Sequence, residues 1–250
     1  MARNTLRGRD VVAIVVLSFL LLVLLAPLLV DQGAVGTAIM QLAVFALPPL
    51  LVAWRRPHGW LGLGLQSTSS AVLAATAIIA FGLWLCILAW IAPLGMDWGN
   101  PAENEELVAL FALQSRPLWQ TLLAFAVVPA VSEELLHRGA ILPMLTKRLG
   151  VPAGLFLSSL FFGLSHLNLS RLLPTAALGL ALGGLRLRTR SLWPSMLLHF
   201  LYNAILLVVS QQDWPLPALL VFPAAALSIC GGAWLVRLTP KQPICADPEP

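Results

Sequence analysis

Ser132, Glu133, Glu134, His137, Arg138, His166, His199 and Asn203 are polar residues set within otherwise apolar runs of the chain. Together they could carry a definite chemistry. Removal from water makes a carboxylate a better base, so Glu133 beside His166 could polarise a water held between them. The imidazole of His199 and the amide of Asn203 can both donate hydrogen bonds, as stabilisation of an oxyanion requires. A metal variant uses nearly the same atoms. Glu133 or Glu134 with His166 and His199 gives two imidazoles and a carboxylate, a set that accepts Zn2+ and keeps a fourth position open for water. Glu133 and His137, four residues apart, form a second local chelate, although the H-E-x-x-H arrangement is absent. Ser132, Ser165 and Tyr202 have no G-x-S-x-G elbow or lysine partner to make them nucleophiles.

The elements that position these groups follow from composition. Of 250 residues, 59% are apolar and 10% charged, and the mean hydropathy is +0.87. Soluble domains carry roughly 45–50% apolar and about 25% charged residues, so a water-soluble globule is excluded. A bilayer-spanning helix needs about 20 mainly apolar residues. Eight stretches qualify: Val11 to Val30, Gly36 to Trp54, Ala71 to Pro93, Leu118 to about Thr146, Val151 to Leu167, Leu172 to Leu187, Leu192 to Ser210, and Leu216 to Val236. The expected fold is therefore all-α, a single integral-membrane domain over 1–250 with about eight transmembrane helices, its four-helix catalytic core at about 118–210 and a disordered tail at 240–250.

Charge sets the topology. The first stretch follows Arg3, Arg7 and Arg9 but lacks a small-x-small cleavage site, so it reads as a retained anchor. Threading all eight stretches from a cytoplasmic start places Arg3, Arg7, Arg9, Arg55, Arg56, Lys147, Arg148, Arg186, Arg188, Arg190, Arg237 and Lys241 on one side and only Arg116 and Arg171 on the other. The positive-inside rule then puts both termini in the cytoplasm, in the cell (inner) membrane. Trp54, Trp60 and Trp193 fall near inner ends, and Trp90, Trp98, Trp119 and Trp214 near outer ones, as interfacial aromatics do. Net charge is +4, yet no dense basic run offers a nucleic-acid surface. The expected partners are the lipid bilayer and a membrane-associated protein or peptide, with no nucleic acid. Cys86, Cys230 and Cys245 suggest no disulfide framework. The acidic cluster Asp97, Glu103, Glu105 and Glu106 is expected to be a solvated outer face. Gly59, Gly62 and Gly64 follow no strand and form no phosphate loop; an interfacial re-entry segment after Pro57 suits them better.

Charges inside a bilayer are costly, so the polar residues of the fourth, fifth and seventh spans mark a functional site. Glu133 lies 17 residues before the turn at Gly150 and His166 lies 16 after it, which puts each about 25 Å along its helix from that turn. His199 lies nine or ten residues past the turn near Arg190, or about 15 Å, leaving an offset for tilt to absorb. Glu134 and Arg138 are four apart on one stripe and can pair. Glu133, rotated by about 100° from its neighbour, can face the bundle interior. Gly179-x-x-x-Gly183 suits a close helix contact that seats the sixth span. Pro129 can free a helical carbonyl near the site, and Pro143 can bend the same helix further on.

Glu133-Glu134-x-x-x-Arg138, Phe162-x-x-x-His166 and His199-x-x-x-Asn203, in this order on successive membrane helices, resemble the three motifs of the CAAX prenyl protease 2 and bacteriocin-processing (CPBP, or Abi) intramembrane proteases. The resemblance covers roughly Leu118 to Ser210, and the ordered triple is far more specific than any motif alone. It implies an intramembrane endopeptidase in which Glu133 and His166 activate water, His199 and Asn203 form the oxyanion hole, and Glu134 and Arg138 support them. Families of this kind are often labelled metalloproteases, so Zn2+ held by Glu133, His166 and His199 stays open. One departure is His137, where members more often carry an aromatic residue. Processing of prenylated CAAX proteins, bacteriocin maturation and self-immunity are all allowed by the resemblance. Two other classes compete: an inactive binding or immunity protein of the same fold, and a proton-coupled transporter using Glu133, His137 and His166, which predicts repeated halves that the sequence does not show.

Overall fold

The computed structural model describes residues 6–29, 32–91, 117–166, 168–210 and 221–239, and among them every regular element is helical. The helices are α1 (Gly8–Leu29), α2 (Gly33–Trp54), a short α3 (Gly59–Leu63), α4 (Ser70–Ile91), α5 (118–149), α6 (Val151–Leu164), α7 (Leu169–Thr189), α8 (Trp193–Ser210) and α9 (Val221–Leu238). Each of the eight stretches expected to cross is thus helical over most of its described length, and α3 occupies the position expected for a re-entry segment after Pro57. The acidic cluster from Asp97 to Glu106, the start of the last stretch at Leu216 and the tail at 240–250 lie outside the described residues.

The molecule is inside out relative to a protein in water. Val12, Val16, Phe19 and Val23 of α1, Phe156 and Phe161 of α6, and Phe222 and Ile229 of α9 are exposed, whereas Glu133, Glu134, His137, Arg138 and His199 are buried. Such a surface is satisfied only by hydrocarbon, so this is an all-α integral membrane protein. Gly8–Leu29 and Gly33–Trp54 are by themselves long and apolar enough to cross.

α5 is the hub. Its segments pack against α1, α2, α3, α6, α7 and α8, while α9 lies along α4 and α4 along α8. Gly150, at φ 80°, turns the chain from α5 into α6, where Pro152 sits in the first turn. Gly179 brings α7 against α6 so closely that a Cβ there would lie 3.0 Å from the Ser159 Cα. The contact seats α7 as the Gly179-x-x-x-Gly183 spacing suggests, and it also places the Gly179 carbonyl within 3.2 Å of the Arg138 guanidinium.

Among the described residues three π-helical segments interrupt the spans, at Leu42–Ala46, Leu123–Val127 and Leu135–Ile141. Each ends two residues before a proline: Pro48, Pro129 and Pro143. Proline has no N–H for the carbonyl four residues back, and its ring crowds that oxygen. The helix widens just ahead of each proline, where the Leu47 N–H reaches the Leu42 carbonyl, the Val128 N–H the Leu123 carbonyl and the Leu142 N–H the His137 carbonyl, each five residues back. Proline alone does not suffice, since Pro27 lies within α1 with no such widening.

Candidate active site

Two consecutive carboxylates from the α5 segment Val128–Glu134 meet one imidazole from α8. His199 Nδ1 lies 3.0 Å from Glu134 Oε1, and His199 Nε2 lies 3.9 Å from Glu133 Oε2. A carboxylate oxygen without a proton only accepts, so Nδ1–H is the donor toward Glu134. The ring is thereby fixed with Nε2 turned to Glu133. At 3.9 Å those two atoms are too far apart for a direct hydrogen bond, and Glu133 Oε2 has no hydrogen-bond partner.

Glu134 also accepts from Arg138 Nη1 at 2.7 Å. The guanidinium is buried, donates through Nη2 to the Gly179 carbonyl, and lies 4.1 Å above the Phe162 ring centroid. The pair that the i,i+4 spacing suggests is thus present, and it extends to α7 and α6. Phe162 is the hub of the ring contacts, with His137, His166 and His199 all meeting it edge-on at 5.1–5.7 Å between centroids.

His166 is placed differently from expectation. α6 ends at Leu164, not Leu167, and His166 follows it. The cause is local competition for one carbonyl: Ser165 Oγ donates to Phe162 O at 2.8 Å and His166 Nδ1 lies 3.0 Å from the same oxygen, which draws the chain out of the helical ladder. A carbonyl only accepts, so Nδ1 carries the proton and Nε2 presents a lone pair. His166 therefore packs edge-on against the Phe162 ring, while His199, expected at an offset, is in contact with the carboxylates.

Asn203 Nδ2 donates to the Phe125 carbonyl at 3.2 Å. Phe125 is four residues before Pro129, so this is the carbonyl that proline deprives of its usual donor. The amide thus has one of its two hydrogens tied to α5.

Gln41 is the residue that sequence reasoning missed. Its Nε2 donates to Glu133 Oε1 at 3.1 Å, and its Oε1 accepts from Ser132 Oγ at 3.2 Å. A lone amide inside the apolar stretch Gly36 to Trp54 is as anomalous as the buried histidines, and that was the available signal. His137 is buried among Phe45, Phe161 and Phe162 with neither ring nitrogen hydrogen-bonded.

The donor set does not converge for zinc. Among the described residues no three His, Cys, Asp or Glu side chains are grouped to hold a metal ion.

A polytopic helical membrane protein with a buried glutamate, histidine and arginine cluster is the class that this geometry defines. Residues 115–205 match the family described as type II CAAX prenyl endopeptidase Rce1-like, a segment that holds all three motifs. The chain is 26% identical over 114 residues to a Bacillus subtilis (strain 168) protein named "Putative membrane peptidase YdiL". That alignment covers 46% of this chain and 46% of the relative, so the chain matches about half the length of this curated relative. No solved structure matches. The two matches support assigning the segment 115–205 to the family that its motifs resemble.

Proposed function

We propose that the protein is an intramembrane endopeptidase that hydrolyses a peptide bond of a membrane-associated protein or peptide with a glutamate-activated water. The observation that carries this reading is the unpartnered Glu133 Oε2 set 3.9 Å from an Nε2 whose ring is held by Glu134. A single water can touch both atoms. Glu133 takes a proton as the water oxygen attacks the carbonyl carbon, then returns it to the leaving amine. Gln41 holds the other carboxylate oxygen, so the free one keeps its aim.

Oxyanion stabilisation needs a donor, and a neutral His199 has spent its proton on Glu134. Glu133, Glu134 and Arg138 sum to one negative charge, so a proton on Nε2 makes the buried cluster neutral and supplies that donor. The second Asn203 hydrogen is the other candidate donor, and the Nε2 of half-buried His166, beside the Phe162 ring, is an acceptor for water. The resemblance to CAAX-processing and bacteriocin-processing enzymes leaves the substrate at the level of a membrane-bound peptide.

The test uses the full chain in liposomes, a membrane-peptide library and mass spectrometry of new termini. Glu133→Gln keeps shape but removes the base, so cleavage should fall by roughly 10²- to 10⁴-fold while folding survives. His199→Ala should cost about 10²-fold or more. Undiminished cleavage by Glu133→Gln would overturn the mechanism, and no cleavage by the unaltered chain would favour an inactive binding or immunity protein. Elemental analysis and chelator treatment of the active protein decide whether a metal contributes.

A further inference from the structure

Away from the carboxylates, a cavity of about 380 Å³ opens between the start of α1, α3 and the second half of α5. Its polar side chains are Arg7, Lys147 and Arg148, and no carboxylate lines it. The nearby acid is already engaged: Asp10 accepts from the Arg7 backbone N–H and pairs with the Arg56 guanidinium. Among the described residues no salt bridge neutralises the three cations. Gly8 lets the Arg148 guanidinium lie over the first turn of α1, where a Cβ would collide with it. The rest of the wall is apolar or bare backbone, with Leu6, Gly139, Ala140, Pro143 and Met144 among it.

We infer that this cavity is a site for an anionic phospholipid, with the headgroup phosphate held by Arg7, Lys147 and Arg148. Three features select that ligand. The three cations lie where α1 begins and α5 ends, at the level of the membrane interface where lipid phosphates reside. Basic recesses between transmembrane helices at that level suit acidic headgroups. The apolar walls accept the glycerol and first methylenes of a lipid, whereas a free anion would gain nothing from them. The volume is that of a small-molecule site, enough for a headgroup and its glycerol, with the acyl chains left to the exposed Val12 and Val16 face of α1.

The experiment titrates the purified full chain in neutral detergent with dioctanoyl phosphatidylglycerol, dioctanoyl phosphatidylcholine, inorganic phosphate and a short peptide with a free carboxylate, read by native mass spectrometry. The expected result is preferential retention of phosphatidylglycerol. Arg7→Gln, Lys147→Gln and Arg148→Gln should each weaken it about fivefold, and the triple variant on the order of a hundredfold. All three side chains are exposed, so folding is not at risk. The Arg9→Gln/Arg55→Gln variant removes two exposed cations outside the cavity and should bind as the unaltered chain does. Equal retention of the two lipids, or equal loss in that control, would show general surface attraction and overturn the site. Inorganic phosphate binding as tightly as the lipid would make it a free-anion site, and preference for the peptide would make it a carboxylate site; either outcome also overturns the proposal.

Discussion

His137 has two ring nitrogens that no group satisfies, inside a cage of Phe45, Phe161 and Phe162. An unsatisfied buried polar group costs about 1–3 kcal/mol, and a phenyl ring fits the same aromatic surroundings. His137→Phe should therefore raise the unfolding temperature in detergent and leave peptide cleavage within about twofold; a variant that folds well yet no longer cleaves would put His137 in the chemistry. At this scale the sequence was legible wherever a contact is made within one helix. Glu134 and Arg138 pair at i,i+4, and Glu133, one step round, points elsewhere. Contacts between helices were less legible. Gln41 reaches Glu133 from 92 positions away, and nothing in the α5 motif announces it. The helix bearing the fifth stretch ends at Leu164 rather than Leu167 because side chains compete for the Phe162 carbonyl, an end effect that hydrophobic length does not register.

Among the elements, one π segment removes part of the depth offset expected between Glu133 and His199. Leu135–Ile141 lies between Glu133 and the Gly150 turn, and a wider turn advances less per residue, so an α-helical count from Gly150 overstates the height of Glu133. The shortened distance brings Glu133 toward the level of His199. Pro129 was read as freeing a carbonyl, and the Phe125 oxygen that it deprives of a donor accepts from Asn203. Pro129→Ala restores an N–H to compete for that oxygen. Asn203 should then lose its hold on α5, cleavage should fall several-fold, and amide exchange over 123–129 should slow; unchanged exchange and activity would show that the proline does not govern this link. A second tie joins α1 to the end of α2. Burial raises the Asp10 carboxyl, but the Arg7 N–H and the Arg56 guanidinium outweigh it and hold it below the usual carboxylate range. A group depressed on folding stabilises above its unfolded pKa, near 3.9, and loses that stabilisation as pH falls through the folded value. Asp10→Asn should thus cost about 1 kcal/mol at pH 7 and nothing at pH 2; an equal cost at both would assign the loss to packing.

The whole molecule gathers its basic ends at one level. Asp10 of α1 pairs with Arg56 just past α2, and Arg7, Lys147 and Arg148 share the cavity between α1 and α5. Ser191 Oγ donates to the Gln66 carbonyl, and the Leu192 N–H to the Gly64 carbonyl, tying the turn between α7 and α8 to the segment before α4. Arg188 Nη2 reaches the carbonyls of Val236 and Thr239 at the end of α9. The start of α1, the ends of α2, α5, α7 and α9, and the starts of α4 and α8 therefore occupy one face of the bundle, as an alternating eight-span thread requires. α3, five residues long, is too short to cross and leaves the count even. Cations near short loops are retained on the cytoplasmic side, and this face carries all the inward basic residues that the described helices present. Reporter fusions at Ala2 and at Pro250 should consequently report the same compartment, the cytoplasm, and cysteine labelling at Arg55→Cys and Arg190→Cys should be blocked from outside intact cells. Opposite compartments for the two fusions would mean an odd number of crossings and would break the eight-span thread.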